Sequence, residues 1–202
     1  MQQAEQIRVF VALEIADSEE LTELQDDVAD DVMEVPDVNS YTSEETLHLT
    51  LAFLGSVDAR AVPALGKAIE QAVYDVEDEH GVLAAHELYV LPELQVWGSN
   101  ALALPVDHRP LLHALIDAIR AQVESVDAGR DALIEHNDRN REFMPHITIG
   151  RVSGEEVAEN RQLTDFLRRI VQWQSAVTVQ IASCTLYQTD GRGYYTPLVV
   201  FD

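Results

Sequence analysis

Two short stretches hold the residue types that could do chemistry. In Leu47–Gly55, "LHLTLAFLG", His48 and Thr50 interrupt an apolar run, and in Pro145–Arg151, "PHITIGR", His146 and Thr148 do the same. On an extended strand successive side chains point to opposite faces, so His48 and Thr50 share one face while Leu47, Leu49 and Leu51 take the other. The same alternation separates His146 and Thr148 from Ile147 and Ile149. Histidine titrates near neutrality and can serve as either partner in a proton transfer. Two convergent imidazoles therefore suit a reaction that removes one proton and delivers another. Threonine hydroxyls and an arginine such as Arg151 suit the oxygens of a phosphoryl group, whose charge spreads in the transition state. Hydrolysis of a phosphodiester combines these needs: one imidazole deprotonates the nucleophile, the other protonates the departing alkoxide, and no metal is required. A metal site is the competing use of two histidines. Zinc would want a third ligand and usually a close pair such as His-x-x-x-His. The sequence has no such pair, which leaves His136 in "IEHNDRN" as the candidate to complete one.

The elements that must position these residues follow from patterning. "IRVFVALEI" (7–15) is rich in branched residues and reads as a buried strand. Asp17 and Ser18 stand where a cap would precede the amphipathic "EELTELQDDVADDVM". A polar loop is expected around Pro36–Glu45, then the first motif strand, then a helix through "ARAVPALGKAIEQAVYDV" whose start is disturbed by Pro63 and Gly66. "GVLAAHELYVLP" and "NALALPV" read as strands joined by a loop with Glu93 and Trp97, and "PLLHALIDAIRAQVESVD" as a long helix with Pro110 near its first position. The polar "AGRDALIEHNDRNREF" reads as a loop into the second motif strand. A helix over about 155–172, the strand "AVTVQIASCTLYQT", a hairpin at "DGRG" and the strand "YYTPLVVF" complete the chain. Strand, helix, strand order with hairpin-like connections argues an α+β fold. The motif histidines lie 98 positions apart, about half the chain, so the halves are expected to form two similar lobes whose four polar side chains meet in a groove.

The 202 residues, 47% of them hydrophobic, suffice for one substantial core, and one domain spanning residues 1–202 is expected. No stretch approaches the ~18 apolar residues of a membrane span, and "MQQAEQIRVF" lacks a signal-peptide layout, so a cytoplasmic protein with no membrane partner is expected, as a monomer. The lone cysteine, Cys184 in "IASCTLY", reads as a buried thiol. With 36 acidic against 13 basic residues the formal charge is −23, and Lys67 is the only lysine. Evenly spread, that charge would repel nucleic acid. Scattered acids, scarce lysine and an ordinary apolar fraction suggest adaptation to multimolar salt, where a Debye length of about 3 Å keeps surface carboxylates from repelling one another.

The extended motifs "LHLTLAFLG" and "FMPHITIGR", together with the opening "IRVFVALEI" and the closing "SCTLYQTDGRGYYTPLVVF", resemble the two-histidine (2H) phosphoesterase superfamily, and within it the LigT-like RNA 2′,3′-cyclic phosphodiesterases, also named 2′-5′ RNA ligases. The resemblance implies two pseudo-symmetric lobes of antiparallel sheet with helices packed outside and a central cleft. It implies cofactor-free opening of a terminal RNA 2′,3′-cyclic phosphate, or a small cyclic nucleotide, to a 2′-phosphomonoester. His48 would then donate a proton to the departing 3′-oxygen and His146 would activate water. Thr50 and Thr148 would bind the phosphate with Arg151 as helper. Phe143 either stacks on a base or belongs to the core, and Arg139, Arg141 and Arg192 are candidate basic rims alongside Arg151. A relative acting on another cyclic or 2′,5′-linked nucleotide, the reverse ligation, and an RNA-end binding module without turnover are the alternatives.

Overall fold

The protein is described by a computed structural model covering residues 5–107, 110–135, 143–155, 157–173, 175–190 and 194–201. Its strands are β1 (Gln6–Ile15), β2 (Val38–Ser43), β3 (His48–Asp58), β4 (Glu87–Val90), β5 (Gln95–Trp97), β6 (Ala101–Pro105), β7 (His146–Gly154), β8 (Val177–Thr189) and β9 (Tyr195–Phe201). Its helices are α1 (Glu19–Asp31), α2 (Val62–His80), α3 (Pro110–Glu124), α4 (Asp127–Glu135) and α5 (Arg161–Ile170). The strands run in the order β4-β8-β1-β3-β7-β6-β5, with β9 also on β8 and β2 also on β7, and every pairing is antiparallel. The α+β architecture expected from the sequence is the one observed.

The sheet has two parts with a narrow join. β1, β3, β4, β8 and β9 form one ladder and β2, β5, β6 and β7 the other, and β3 meets β7 through a single residue pair, Leu49 opposite Ile147. Both residues are fully buried. The alternation of the two motif strands explains why: their odd-numbered leucines and isoleucines enter the large core cluster that lies against the helices, leaving His48, Thr50, His146 and Thr148 on the other face. That face of the first ladder carries its own small aromatic cluster, in which Phe10, Ala12 and Tyr187 are buried and Phe53 and Tyr195 pack against them.

Helix boundaries follow local chemistry. Ser18 accepts from the Leu21 N–H at the start of α1, and Asn160 Oδ1 accepts from Leu163 N–H at 3.0 Å to start α5. Four expectations are corrected. Trp97, expected in a loop, ends the short strand β5 paired with β6. Residues 38–43 are an edge strand on β7, not part of a loop; among them only Val38 is buried, so no apolar alternation marks the strand. Residues 127–135 are helical, not a loop. Gly129 lets α4 begin hard against the end of α3, since a Cβ there would stand 2.5 Å from the Val123 carbonyl oxygen. The helix expected over 155–172 is shorter, beginning at Arg161 after a 3-10 turn over 157–159. The strands flanking the expected "DGRG" hairpin pair antiparallel, with Thr189 opposite Tyr195, while residues 191–193 and the candidates His136, Arg139, Arg141 and Arg192 lie outside the described residues. Among the described residues no helix is long and apolar enough to cross a membrane.

Candidate active site

A cleft of about 540 Å³ opens on the face away from the helices, and His48, Thr50, His146, Thr148 and Arg151 all line it. The structure thus brings together the five residues singled out from the sequence. Strand alternation accounts for the first four but not for Arg151, whose odd position should face the core. A β-bulge supplies the difference. Between the pairs Ala103–Thr148 and Leu102–Gly150, β7 carries an extra residue, Ile149, and the alternation inverts after it. Val152 then enters the core and Arg151 turns to the cleft. β3 does the same thing at the matching place: Leu51 is the extra residue between the pairs Ala12–Thr50 and Val11–Ala52, and Phe53 turns to the cleft. Phe53 and Arg151 each stand five residues after a motif histidine, so one lobe offers the cleft a ring where the other offers a cation.

The second bulge is held by side chains from elsewhere. The Ile149 carbonyl accepts from Gln25 Nε2 at 2.7 Å and from the Glu44 N–H at 3.1 Å, so the bulged backbone is not left unpaired. Gln25 also donates to the Glu44 carbonyl at 3.0 Å. Tyr41 lies over Gly150, where a Cβ would come within 2.4 Å of its ring.

Both histidines are oriented by main chain. His48 Nδ1–H donates to the Thr46 carbonyl and His146 Nδ1–H to the Met144 carbonyl, each at 2.9 Å and each two residues back. A carbonyl only accepts, so Nδ1 carries hydrogen in both rings, and in the neutral ring the free lone pair is on Nε2. The surroundings differ. His48 is 7% exposed and sits among aromatic rings, with Tyr195 edge-on at 5.0 Å and Phe10 at 5.4 Å between centroids. His146 is stacked on Trp97 at 4.3 Å and 23°. Trp97 reaches it from the short β5–β6 hairpin, whose turn uses Gly98 at a positive φ of 60°.

Burial is the main force that lowers the pKa of each histidine below its ordinary value, and the Arg151 charge pushes the same way. For His48 the Thr46 carbonyl and the Glu14 carboxylate act in the opposite sense. Glu14 is the direct cross-strand neighbour of His48 on β1, and Ser183 of β8 is the neighbour of Glu14 on its other side. Glu14 accepts from Tyr187 Oη at 3.1 Å and from Ser183 Oγ at 3.2 Å. Burial, then Glu14, pushes the Tyr187 hydroxyl up to about 12, so it stays a donor.

Arg151 is tethered from behind. Its Nε lies 3.0 Å from Glu44 Oε1, a carboxylate whose side chain is 4% exposed, and its Nη2 donates to Tyr195 Oη at 3.4 Å. The Glu44 contact is an ion pair without hydrogen-bond alignment at that oxygen. Burial raises the Glu44 pKa while Arg151 holds it down. Glu44 was hidden in what read as a polar loop, and neither its spacing nor its neighbours gave a signal. Glu14 and Tyr195 lay in segments already read as strands, and only the register shows that they face the site. Among the described residues no three His, Cys, Asp or Glu side chains are grouped so as to hold a metal ion. Phe143 packs against the core while also lining a second cavity beside His146.

The sequence model of the 2′-5′ RNA ligase superfamily matches residues 40–193, which include both histidine motifs. The chain belongs to that superfamily. Solved structures agree in fold with this 2′-5′ RNA ligase family assignment. E. coli LigT, in complex with NADP+, is 24% identical, with 97% of each chain covered and a TM-score of 0.57. The protein TT0787 of Thermus thermophilus is 18% identical, covering 96% of this chain and 97% of that one, with a TM-score of 0.61. A protein described as a phosphoesterase is 21% identical over 97% of each chain, with a TM-score of 0.57. No curated protein sequence matches the chain significantly.

Proposed function

We propose that this member of the 2′-5′ RNA ligase superfamily hydrolyses the 2′,3′-cyclic phosphate at an RNA end to a 2′-phosphomonoester, with His146 as general base and His48 as general acid. One observation carries the reading: two imidazoles line one cleft, each with Nδ1–H committed to a backbone carbonyl, so that each has Nε2 available for a proton transfer. Neutral His146 accepts a proton from water at Nε2 as the water oxygen bonds to phosphorus. Protonated His48 delivers its Nε2 proton to the 3′-oxygen as the P–O3′ bond breaks. The products are a 2′-phosphate and a 3′-hydroxyl, and the two rings exchange roles to reset. Thr50 and Thr148 donate to the non-bridging oxygens, and Arg151 stabilises the charge that develops on them. E. coli LigT structures hold 3′-AMP, ATP and phosphate as well as NADP+, ligands whose phosphate and nucleoside parts suit a cleft of this size and lining.

The asymmetry of the histidine surroundings supports the assignment of roles. Glu14 beside His48 favours the charged ring required of an acid, whereas His146 has no cross-strand carboxylate, its partner on β6 being Pro105. The test is incubation with a nucleoside 2′,3′-cyclic phosphate in concentrated KCl with EDTA, with His48→Ala and His146→Ala alongside. A 2′-phosphate made by the wild type and by neither variant is the expected result. A folded wild-type protein that makes no product overturns the reading in favour of a binding module or another substrate, and activity abolished by EDTA overturns the metal-free mechanism.

A further inference from the structure

Beside the catalytic cleft lies a second cavity of about 490 Å³, which shares Thr50, Phe53, His146, Thr148 and Arg151 with it and extends past Trp97 to Arg120 on α3. Like Arg8, Lys67, Arg161 and Arg169, Arg120 has no ion-pair partner among the described residues, and of these five it is the one that lines this cavity. Acidic residues outnumber basic ones 36 to 13, and Arg60, Arg130, Arg151 and Arg168 each have a carboxylate partner. Arg120 pairs with none among the described residues. Asp117 stands three residues away on its own helix, the spacing at which helical ion pairs form, yet the two are not paired. The guanidinium lies along the cavity wall instead. Its Nε is buried and has no acceptor among the described residues, and the same holds for Nε1 of Trp97, the ring stacked on His146. Both residues line one cavity beside the proposed phosphate site, and a guanidinium there that no carboxylate neutralises is a ready partner for an anion.

We propose that the Arg120 cavity is a subsite for a second phosphate, the one that lies one nucleoside away from the reacting group in a nucleic acid chain. The inference rests on the functional reading above for the position of the first phosphate. Arginine is the side chain suited to the role, because its planar fork takes two phosphate oxygens at once. The cavity falls in the size range that holds a nucleotide-sized ligand, and Arg120 is partly buried on its wall, so salt screens the contact less than one on the open surface. The subsite makes the enzyme an end-reader of oligonucleotides in preference to cyclic mononucleotides, through one arginine instead of a basic groove.

The test uses binding first, because it does not depend on turnover. Trp97 and Trp173 are the two tryptophans, so a Trp173→Phe protein reports from the cavity by fluorescence. Adenosine 3′,5′-bisphosphate is expected to bind about tenfold more tightly than adenosine 3′-monophosphate, the gain of one charge-assisted contact. Arg120→Gln removes that preference and leaves the affinity for the monophosphate unchanged, while Arg120→Lys, which keeps the charge, retains part of it. Equal affinities in the starting protein, or a preference that survives Arg120→Gln, overturn the proposal. In turnover, Arg120→Gln is expected to raise KM about tenfold for a dinucleotide ending in a 2′,3′-cyclic phosphate, with kcat and the cyclic mononucleotide unaffected. An equal rise for both substrates overturns it. A wild type that shows the bisphosphate preference but hydrolyses neither substrate counts against the proposed function and in favour of the subsite.

Discussion

Replacing Arg151 by methionine separates what this residue does for stability from what it does for chemistry. The guanidinium is 38% exposed, but its partner Glu44 is 4% exposed, so the substitution strands a buried carboxylate. Removing one partner of a fully buried pair costs about 3–5 kcal/mol, and water around the half-open guanidinium brings the expectation down to about 2–3 kcal/mol. For a chain of this length that corresponds to a fall in Tm of about 4–12 °C. The loss depends on pH with a definite sign. Glu44 has a folded-state pKa above its ordinary value, so its charge weighs against the folded state once pH has risen through that folded value, and has no effect below the unfolded one. Without Arg151 the folded value climbs further, so the destabilisation is full once pH has passed that value and fades as pH falls to the ordinary carboxylate range. Glu44→Gln alone changes stability by less than about 1 kcal/mol, and added to Arg151→Met it restores Tm. It does not restore activity. In the proposed mechanism the missing cation is expected to lower kcat by about 10²–10³-fold, the effect of losing one donor to a developing oxyanion, in the single and double variants alike. Thermal melts across pH with parallel cyclic-phosphate assays decide the matter. A double variant as unstable as Arg151→Met would show that Glu44 is not the stranded group, and kcat within roughly threefold of wild type would remove Arg151 from the chemistry.

In the proposed mechanism His48, the acid, must be charged and His146, the base, neutral, and both pKa values lie below the ordinary one. The alkaline limb of kcat/KM is therefore expected below the normal histidine range. The charged and titratable groups around His48 are Glu14 on β1, His146 and Arg151 on β7, Tyr187 on β8 and Tyr195 on β9, and Glu14 is the one carboxylate among them that favours its charged form. Glu14→Gln is expected to move the alkaline limb to lower pH and leave the acid limb in place; a pH profile identical to wild type refutes the coupling. The surplus of acidic side chains predicts a Tm that rises with KCl, and the same Tm in dilute buffer and at about 2–3 M KCl refutes salt adaptation. Cys184 is completely buried with its thiol pushed up to about 12 by burial, so the native protein is expected to react with a thiol reagent only after unfolding. Stoichiometric labelling of the folded protein would contradict that burial.

The parts of the fold that were legible in sequence are those where burial imposes a period. β1, β3, β8 and the long stretches of α1, α2 and α3 each present an apolar face to the core, and the two H-x-T motifs stand out because they place polar groups on strands otherwise dedicated to it. Residues 38–43 and 127–135 carry no such signal for the converse reason: an exposed edge strand has almost no buried side to mark it, and a glycine-containing polar helix gains its place from contact with α3. The approach of Arg151 to the cleft was legible only as a type of residue next to a motif. Its direction depends on a bulge whose stabilising groups, Gln25 and Glu44, lie far from it in sequence. Strand pairing between distant segments is likewise what sets Glu14 opposite His48, and no local pattern encodes it.

Because peptide carbonyls at positions 46 and 144 fix the imidazole tautomers, the proton-transfer geometry carries no allegiance to the side chains there. Thr46 and Met144 can be exchanged for other residues with each carbonyl still accepting from its histidine, provided the backbone keeps its course. The rim of the cleft is thereby uncoupled from the reaction it surrounds. Under the proposed function Met144, more than half exposed beside the cleft, can vary to suit different nucleic acid ends, and a chain can acquire a heavily acidic exterior with the two histidines still aligned. Drift in recognition and permanence in chemistry are compatible here because they are held by different parts of the same residues.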